Sequence, residues 1–321
     1  MAETNATQHS VSEAPAHADP SAPHTAIQSV AEPAEIPWDA PTLPKPNMPA
    51  AHPSAPWNTE KLGLRVGADA LAAGAAGVLV APIITIIDKG IIENASGRNA
   101  LGGSLKKSAR ELLVAPHRFL GSKPFVLIFS LYFGTYFTAN TLDTATSTLS
   151  STPASTTTAG TPKFLATSSA NLALCLYKDS RFTQLFGSPG STRPVPLPTF
   201  ALFTLRDSLT IFASFNLPPL LAPTVATHMG AEAQRWMSAA SVAQFVTPAA
   251  VQVVSTPLHL LGLDLYNRAG VALWGRDGRA RRVLRDWGMA SLARMGRIVP
   301  AFGVGGVVNT KVRRGLMGRL E

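Results

Sequence analysis

Six apolar stretches follow one another along the chain, and each is a candidate membrane helix. They lie at about 66–87, 124–142, 164–177, 199–226, 237–263 and 288–309. The second has no charged residue between Pro124 and Leu142. The third is too short to cross about 30 Å of hydrocarbon unless flanking cations such as Lys178 snorkel to the headgroups. The pattern predicts an all-α membrane bundle of about six transmembrane helices, with four or five spans left open.

Positive charge is concentrated in alternate connections between the predicted spans. The net charges are +4 for 91–123, +2 for 178–197, +3 for 264–287 and zero for 143–163 and 227–236. With six spans, the basic connections all lie on one side of the bilayer, as the positive-inside rule expects. Amphipathic surface helices are predicted over 104–119 and 280–292, where cations would contact anionic lipid headgroups. Ordinary solvated helices are the alternative. The Ser/Thr-rich connection 143–163 is expected to be a flexible linker.

The two ends of the chain differ from the bundle. Residues 1–62 hold 11 of the 26 prolines and have a net charge of −5, which predicts a disordered, acidic Pro/Ala-rich tail. Such a tail is either a solvated arm or a docking segment for a protein partner. Residues 316–321 are expected to form a short basic tail. The first arginine is Arg65 and no apolar run lies near the start, so neither a cleavable presequence nor a secretory signal is predicted.

Composition excludes several function classes. Apolar residues make up 46% of the chain and charged residues 15%, against about 25% charged in soluble domains. One cysteine, Cys175, excludes an internal disulfide, and no histidine pair has metal-ligand spacing on one helix. The net charge of about +14 over 63–321 lies in connections beside apolar spans, not on one soluble face. We therefore expect no catalytic residue, no metal or other cofactor, and no nucleic-acid partner.

An internal repeat organises the apolar part of the chain. The order span, basic surface helix, span occurs at 66–142 and again at 237–309, and 164–226 fits the same plan with a shorter, proline-rich middle. The predicted repeats cover about 63–143, 163–227 and 236–311. Proline within a span breaks the backbone hydrogen-bond ladder, so helix kinks are predicted at three prolines, Pro82, Pro257 and Pro300.

In this order of elements the chain resembles the mitochondrial carrier superfamily over about 63–315. Arg297-Ile-Val-Pro300 matches the Arg-x-x-Pro pattern of that superfamily's even-numbered helices, and Arg206-Asp-Ser-Leu matches it without the proline. Segments 133–143 and 206–215 are similar to a fungal family of carrier-like, multi-pass mitochondrial proteins. The resemblance implies six helices in three repeats, no cleaved presequence and a place in a mitochondrial membrane, with the inner membrane expected.

Charges within the predicted spans are the candidate functional residues, because burying them in a bilayer is costly. Arg294 and Arg297 are one helical turn apart and share a face, and Arg206 could join them across the bundle. The matching arginines of carriers contact substrate, so the resemblance implies that these three bind a small anionic metabolite. In the structural alternative Arg206 and Asp207 neutralise each other, while Arg294 and Arg297 snorkel from the end of the span.

Two functions remain open from the sequence. The first is carrier-like transport of a small anionic metabolite across the inner mitochondrial membrane. The second is a degenerate carrier that transports nothing and acts as a membrane scaffold or protein adaptor. Departures from the carrier signature favour the second function: Ile84 and His259 stand two residues after Pro82 and Pro257, where the signature has acids.

Overall fold

The chain folds as a set of α-helices. The computed structural model describes residues 57–150, 152–158, 160–188 and 194–321, and within these ranges every regular element is helical. The first half contains α1 Leu62–Ser96, α2 Leu101–Val114, α3 Pro116–Leu120, α4 Lys123–Ser150 and α5 Thr161–Phe186. The second half contains α6 Leu197–Phe215, α7 Leu217–His228, α8 Ala231–Trp236, α9 Ala239–Asn267 and α10 Arg279–Gly296, then a π-helical segment, Val299–Gly305, and α11 Gly306–Met317. The fold class predicted from the sequence is confirmed.

The long helices close into a ring in chain order. Helix α1 packs against α4, α4 against α5, α5 against α6, α6 and α7 against α9, and α9 against α10. The ring closes where the π-helical segment and α11 return to α1. Small residues allow this closure, since Ala72, Ala73 and Ala76 of α1 are fully buried. Each predicted repeat therefore supplies one pair of neighbouring elements to the ring.

The basic connections meet at one end of the ring. Arg98 Nη1 donates to the Leu185 carbonyl at 2.9 Å, and the Ser188 amide donates to Asn267 Oδ1 at 2.9 Å. At the opposite end the Asn58 amide donates to the Thr148 carbonyl at 3.0 Å. The sidedness that the charge pattern predicts is therefore built into the fold.

Three helices, α1, α4 and α9, are long and apolar enough to cross a membrane. Helices α6 and α7 pass the same test as one span bent by 50° at Asn216, so the described part of the chain has three or four such spans. Pro218 in the first turn of α7 has no N–H to continue the ladder of α6, which accounts for a new helix here. The third and sixth predicted spans lie in α5 and in α10 with its continuation, and the count of six stays a prediction.

Two connections differ from the sequence-based expectation. The Ser/Thr-rich stretch 143–163 is not a linker in its first half, because α4 continues to Ser150. Hydroxyls there bond backbone carbonyls four residues earlier, as Thr146 does to Leu142 and Thr148 to Thr144. The surface helix predicted over 104–119 is broken after Val114, since a proline begins α3.

The chain ends pack onto the bundle where the structure describes them. Of the predicted tail 1–62, residues 1–56 lie outside the described residues. Lys61 Nζ donates to the Leu320 carbonyl at 2.8 Å. Met317 is fully buried and packs with Ala68 and Ala154. Residues 57–62 and the predicted basic tail 316–321 therefore contact each other at the end of the ring away from the basic connections.

The predicted kink prolines have different surroundings. Helix α1 continues through Pro82, and α9 continues through Pro257 and a further proline, Pro248. Pro300 lies in the π-helical segment, where the hydrogen-bond pattern between α10 and α11 changes. A π-helical turn within a helix is frequently found at a functional site, so this segment directs attention to the neighbouring Arg297.

Candidate functional site

Six charged side chains from four parts of the ring form a buried network, here called the central charge cluster. Its members are Asp88 of α1, Lys178 and Asp179 of α5, Arg206 and Asp207 of α6, and Arg297, which directly follows α10. Asp88 accepts from Lys178 at 2.8 Å and from Arg297 at 2.7 Å. Lys178 also pairs with Asp179, which connects this half of the cluster to Arg206.

Arg206 is the most heavily bonded member of the central charge cluster. Its guanidinium donates to Asp179 at 2.5 Å and to both oxygens of Asp207 at 2.9 and 2.5 Å. Nη1 lies 2.6 Å from Nδ1 of His259 on α9. Because arginine only donates, this ring nitrogen accepts and the His259 proton is on Nε2. Arg206 therefore joins α5, α6 and α9.

Exposure separates two members of the cluster from the other four. The side chains of Asp88, Lys178, Asp179 and Arg206 are at most 5% exposed. The Arg297 side chain is 20% exposed and that of Asp207 is 11% exposed. These two charges, of opposite sign, are the ones that a solute could contact.

A cavity of about 300 Å³ lies inside the ring, and both Arg297 and Asp207 line it. This volume is at the lower end of the ~300–1,000 Å³ typical of small-molecule pockets. Its walls come from α4, α5, α6, α9 and the π-helical segment with its flanking residues. Among the described residues that line it, only Arg297 and Asp207 are charged. The rest of its polar lining is neutral, and includes Thr135, Asn171 and Thr210.

The three arginines predicted to bind substrate lie in one region but in different surroundings. Arg297 lines the cavity, whereas Arg206 and Arg294 are not among its lining residues. Arg294 is 2% exposed, and its Nε donates to Gln252 Oε1 at 3.0 Å. Gln252 itself lines the cavity. Arg294 thus lies behind an amide that faces the cavity, and Arg206 lies within the ion-pair network.

A second buried network, here called the terminal cluster, bounds the other end of the cavity. It is formed by Arg65 and Asp69 of α1, Asn140 and Thr144 of α4, and Asn309 and Arg313 of α11. Arg313 Nε donates to Asp69 Oδ1 at 2.7 Å and its Nη2 to the Thr144 hydroxyl at 3.1 Å. The lining residues Ala139 and Gly306 lie next to this cluster, one directly before Asn140 and the other one turn before Asn309.

Sequence reasoning identified some of these residues and missed others. Asp69, Arg206, Asp207 and Arg297 stand out because each is a charge within an apolar stretch. Arg313 lies beyond the sixth apolar stretch, and its partner Asp69 is 244 residues away in sequence, so the sequence does not single it out. The hydroxyl and amide lining has no sequence signal of its own.

Metal binding finds no support in the part of the chain that the structure describes. There, no group of three or more His, Cys, Asp or Glu side chains is arranged so that it could hold a metal ion. The cysteine thiol of Cys175 lines the cavity and bonds Asn171 Oδ1 at 3.7 Å. Arg297, Asp207 and the neutral polar lining can form ion pairs and hydrogen bonds with a solute.

Comparison with known proteins identifies the family. No curated protein matches the chain. A family described as probable citrulline exporters matches residues 72–317, which include the central charge cluster, the α4 and α11 members of the terminal cluster and every lining residue of the cavity. The chain belongs to this family of probable citrulline exporters, a family of membrane transporters of a small metabolite.

Proposed function

We propose that the protein exports a small zwitterionic amino acid, with citrulline as the candidate, through the cavity inside the ring. The observation that carries this proposal is the pair of exposed charges in the cavity wall, the cation Arg297 and the anion Asp207. An exporter is not a member of an enzyme class.

The two charges match the two charged groups of an amino acid. Arg297 uses Nη1 for Asp88, which leaves other guanidinium N–H groups for a substrate carboxylate. The carboxylate of Asp207 is paired with Arg206, but each oxygen can accept a further bond from a substrate ammonium. A purely anionic metabolite would meet repulsion from Asp207. We therefore propose a zwitterionic amino acid as the substrate, in place of the anionic metabolite expected from the sequence.

The two clusters give the cavity a closure at each end. The central charge cluster links α1, α5, α6 and Arg297, and the terminal cluster links α1, α4 and α11. Opening the cavity to one side requires separation of Asp88 from Lys178 and Arg297, and opening it to the other requires separation of Asp69 from Arg313. Alternate opening of the two clusters would carry a bound solute across the membrane, as in the carriers that the sequence resembles.

We extend the proposal to the inner mitochondrial membrane and to a carrier-like fold. The support is the order of elements that resembles carriers, the ring built from three pairs, and the basic connections collected at one end. Fractionation of cells expressing a tagged protein, followed by protease protection in mitochondria and mitoplasts, tests this location. Recovery of the protein in another membrane would contradict it.

Binding is tested by thermal shift of the detergent-solubilised protein with citrulline and with small dicarboxylates. A ligand that binds only the folded state raises the melting temperature, with about 2.7 kcal/mol of stabilisation at 100 times Kd. We expect a shift with citrulline that Arg297→Ala abolishes. The matched control is Arg285→Ala, because the Arg285 side chain is 65% exposed and pairs with its neighbour Asp286. A folded wild-type protein with no shift would favour the scaffold or adaptor function.

A further inference from the structure

We propose that the cavity selects amino acids with a neutral polar side chain and rejects cationic ones of the same length. Citrulline would bind, whereas arginine and ornithine would bind at least tenfold more weakly. This inference rests on the proposed function. It states which kind of substrate side chain binds in the part of the cavity that lies away from Arg297 and Asp207.

The cavity has a charged end and a neutral end. On α5, Thr167 and Ser168 precede Cys175 by two turns, and Cys175 is followed within one turn by Lys178 of the central charge cluster. On α6, Ser214 follows Asp207 by two turns. Seven residues of helix rise about 10 Å. Ser168 and Ser214 therefore lie roughly 10 Å along their helices from Cys175 and Asp207, a distance that an extended amino acid with a long side chain can span.

Among the described residues, those that line the neutral end carry hydroxyl and amide groups and no carboxylate, and the Asp69 carboxylate behind this lining is paired with Arg313. The hydroxyl of Thr167 is buried and has no hydrogen-bond partner in the described part of the chain. Asn171 Nδ2 donates to Thr135 Oγ1 at 3.1 Å, and the Asn171 amide oxygen, which accepts from the Cys175 thiol at 3.7 Å, has a second lone pair for a further bond. A ureido group both donates and accepts, and so do these hydroxyl and amide groups.

A cationic side chain would lose hydration at this end without gaining a counter-charge. The two charges that line the cavity lie at the opposite end, where Arg297 and Asp207 hold the amino acid's own carboxylate and ammonium. Burying a charge without a partner is costly, whereas burying a hydrogen-bonded neutral group is not. Arginine has nearly the shape of citrulline, so the discrimination comes from charge and not from size.

The experiment compares competition by unlabelled L-citrulline, L-arginine and L-ornithine against bound radiolabelled L-citrulline in the purified full-length protein. The informative variant is Ser168→Asp, which places a carboxylate at the neutral end, and its neutral isostere Ser168→Asn is the control. We expect Ser168→Asp to improve arginine competition relative to citrulline by at least tenfold, and Ser168→Asn to leave the ratio within threefold of wild type. Ser214→Asp makes the same test from α6 if Ser168→Asp does not fold.

Each outcome decides a different point. Equal competition by citrulline and arginine in the wild type would overturn the selectivity while leaving the proposed function intact. Absence of citrulline binding by a folded protein would overturn the proposed function itself. Arginine that stays excluded from folded Ser168→Asp and Ser214→Asp variants would overturn the assignment of the neutral end.

Discussion

Asn140 of α4 and Asn309 of α11 exchange two amide hydrogen bonds, of 2.8 and 2.9 Å, across 169 residues of sequence. Asn140 Nδ2 also lies 3.1 Å from the Asp69 carbonyl oxygen, to which it donates. The two asparagines are 2% and 8% exposed. They join the first and last repeats directly beside the cavity, at the point where the ring closes.

Replacing either asparagine alone should lower the free energy of unfolding by more than half of the loss that the double replacement causes. Asn309→Ala leaves the buried Asn140 amide without its partner, and an unsatisfied buried group costs about 1–3 kcal/mol. The measurement is chemical denaturation of the detergent-solubilised single and double alanine variants. We expect the sum of the two single losses in unfolding free energy to exceed the loss in the double variant by about 0.5–3 kcal/mol, as is found for residues in contact. Strict additivity would show that the pair is not coupled.

Closure of the ring also depends on one glycine of the π-helical segment. A Cβ at Gly305 would lie 2.8 Å from Val80 Cγ2 and would collide with the Tyr136 hydroxyl, which donates to the Ala301 carbonyl at 2.8 Å. Gly305→Ala should therefore cost about 1–3 kcal/mol of stability through overpacking. The matched control is Gly315→Ala in α11, where no atom lies within 4 Å of the added Cβ.

Thermal denaturation of the two variants checks this expectation. Tyr136→Phe in the Gly305→Ala background should recover part of the loss, because it removes the colliding oxygen. Equal melting temperatures for Gly305→Ala and Gly315→Ala would contradict the close approach of α4 to the π-helical segment.

Much of the architecture follows from the sequence because membrane helices need long apolar runs. The six apolar stretches lie in helices or in consecutive helices, and α1 packs against α4 as α5 does against α6. The threefold repeat itself stays a prediction. The break at Asn216 and the π-helical segment were not predicted, since proline disrupts a helix without fixing how the chain continues. Ser147 illustrates another limit. The sequence predicts a linker at this residue, yet the Ser147 hydroxyl accepts from Arg65 at 2.8 Å inside the bundle.

The candidate site was predictable only in part. Arg206 and Arg297 stand out as charges in apolar stretches of the sequence. The sequence does not show that Arg206 is enclosed by ion-pair partners whereas Arg297 faces a cavity. That difference depends on Asp179 and Asp88, which come from α5 and α1. It is therefore a property of the packed ring and not of any one segment.

The single cysteine of the chain provides a natural probe of the cavity. Cys175 lines the cavity and is 8% exposed, so a small methanethiosulfonate should react with it slowly. Citrulline should slow that reaction at least threefold by occupying the same space. The control is Leu113→Cys in a Cys175→Ser background, because Leu113 is 82% exposed and remote from the cavity lining. Labelling of Cys175 that is indifferent to citrulline would argue against a ligand in this cavity.

Helix α2 is expected to bind anionic lipid headgroups at the basic end of the ring. Its Leu101 is buried and Leu105 packs against the core, while Lys106 and Lys107 are exposed. Each cation near an anionic surface contributes about 1 kcal/mol. Phosphatidylglycerol should raise the melting temperature more than phosphatidylcholine does, and Lys106→Glu with Lys107→Glu should at least halve the difference.

Arg319→Glu is the control for this lipid effect, because Arg319 is an exposed cation at the end of the ring away from α2. An equal loss in both variants would indicate general charge attraction. It would remove the assignment of the lipid site to α2.

Citrulline transport by the reconstituted protein tests the central claim most directly. The measurement is uptake of radiolabelled L-citrulline into proteoliposomes loaded with unlabelled citrulline, for wild type, Arg297→Ala, Asp207→Asn and the surface control Arg285→Ala. We expect saturable uptake by wild type and Arg285→Ala, and at least a tenfold loss in the other two variants. Wild-type uptake no faster than that of protein-free liposomes, or full activity of Arg297→Ala and Asp207→Asn, would contradict the assignment of this cavity as the transport site.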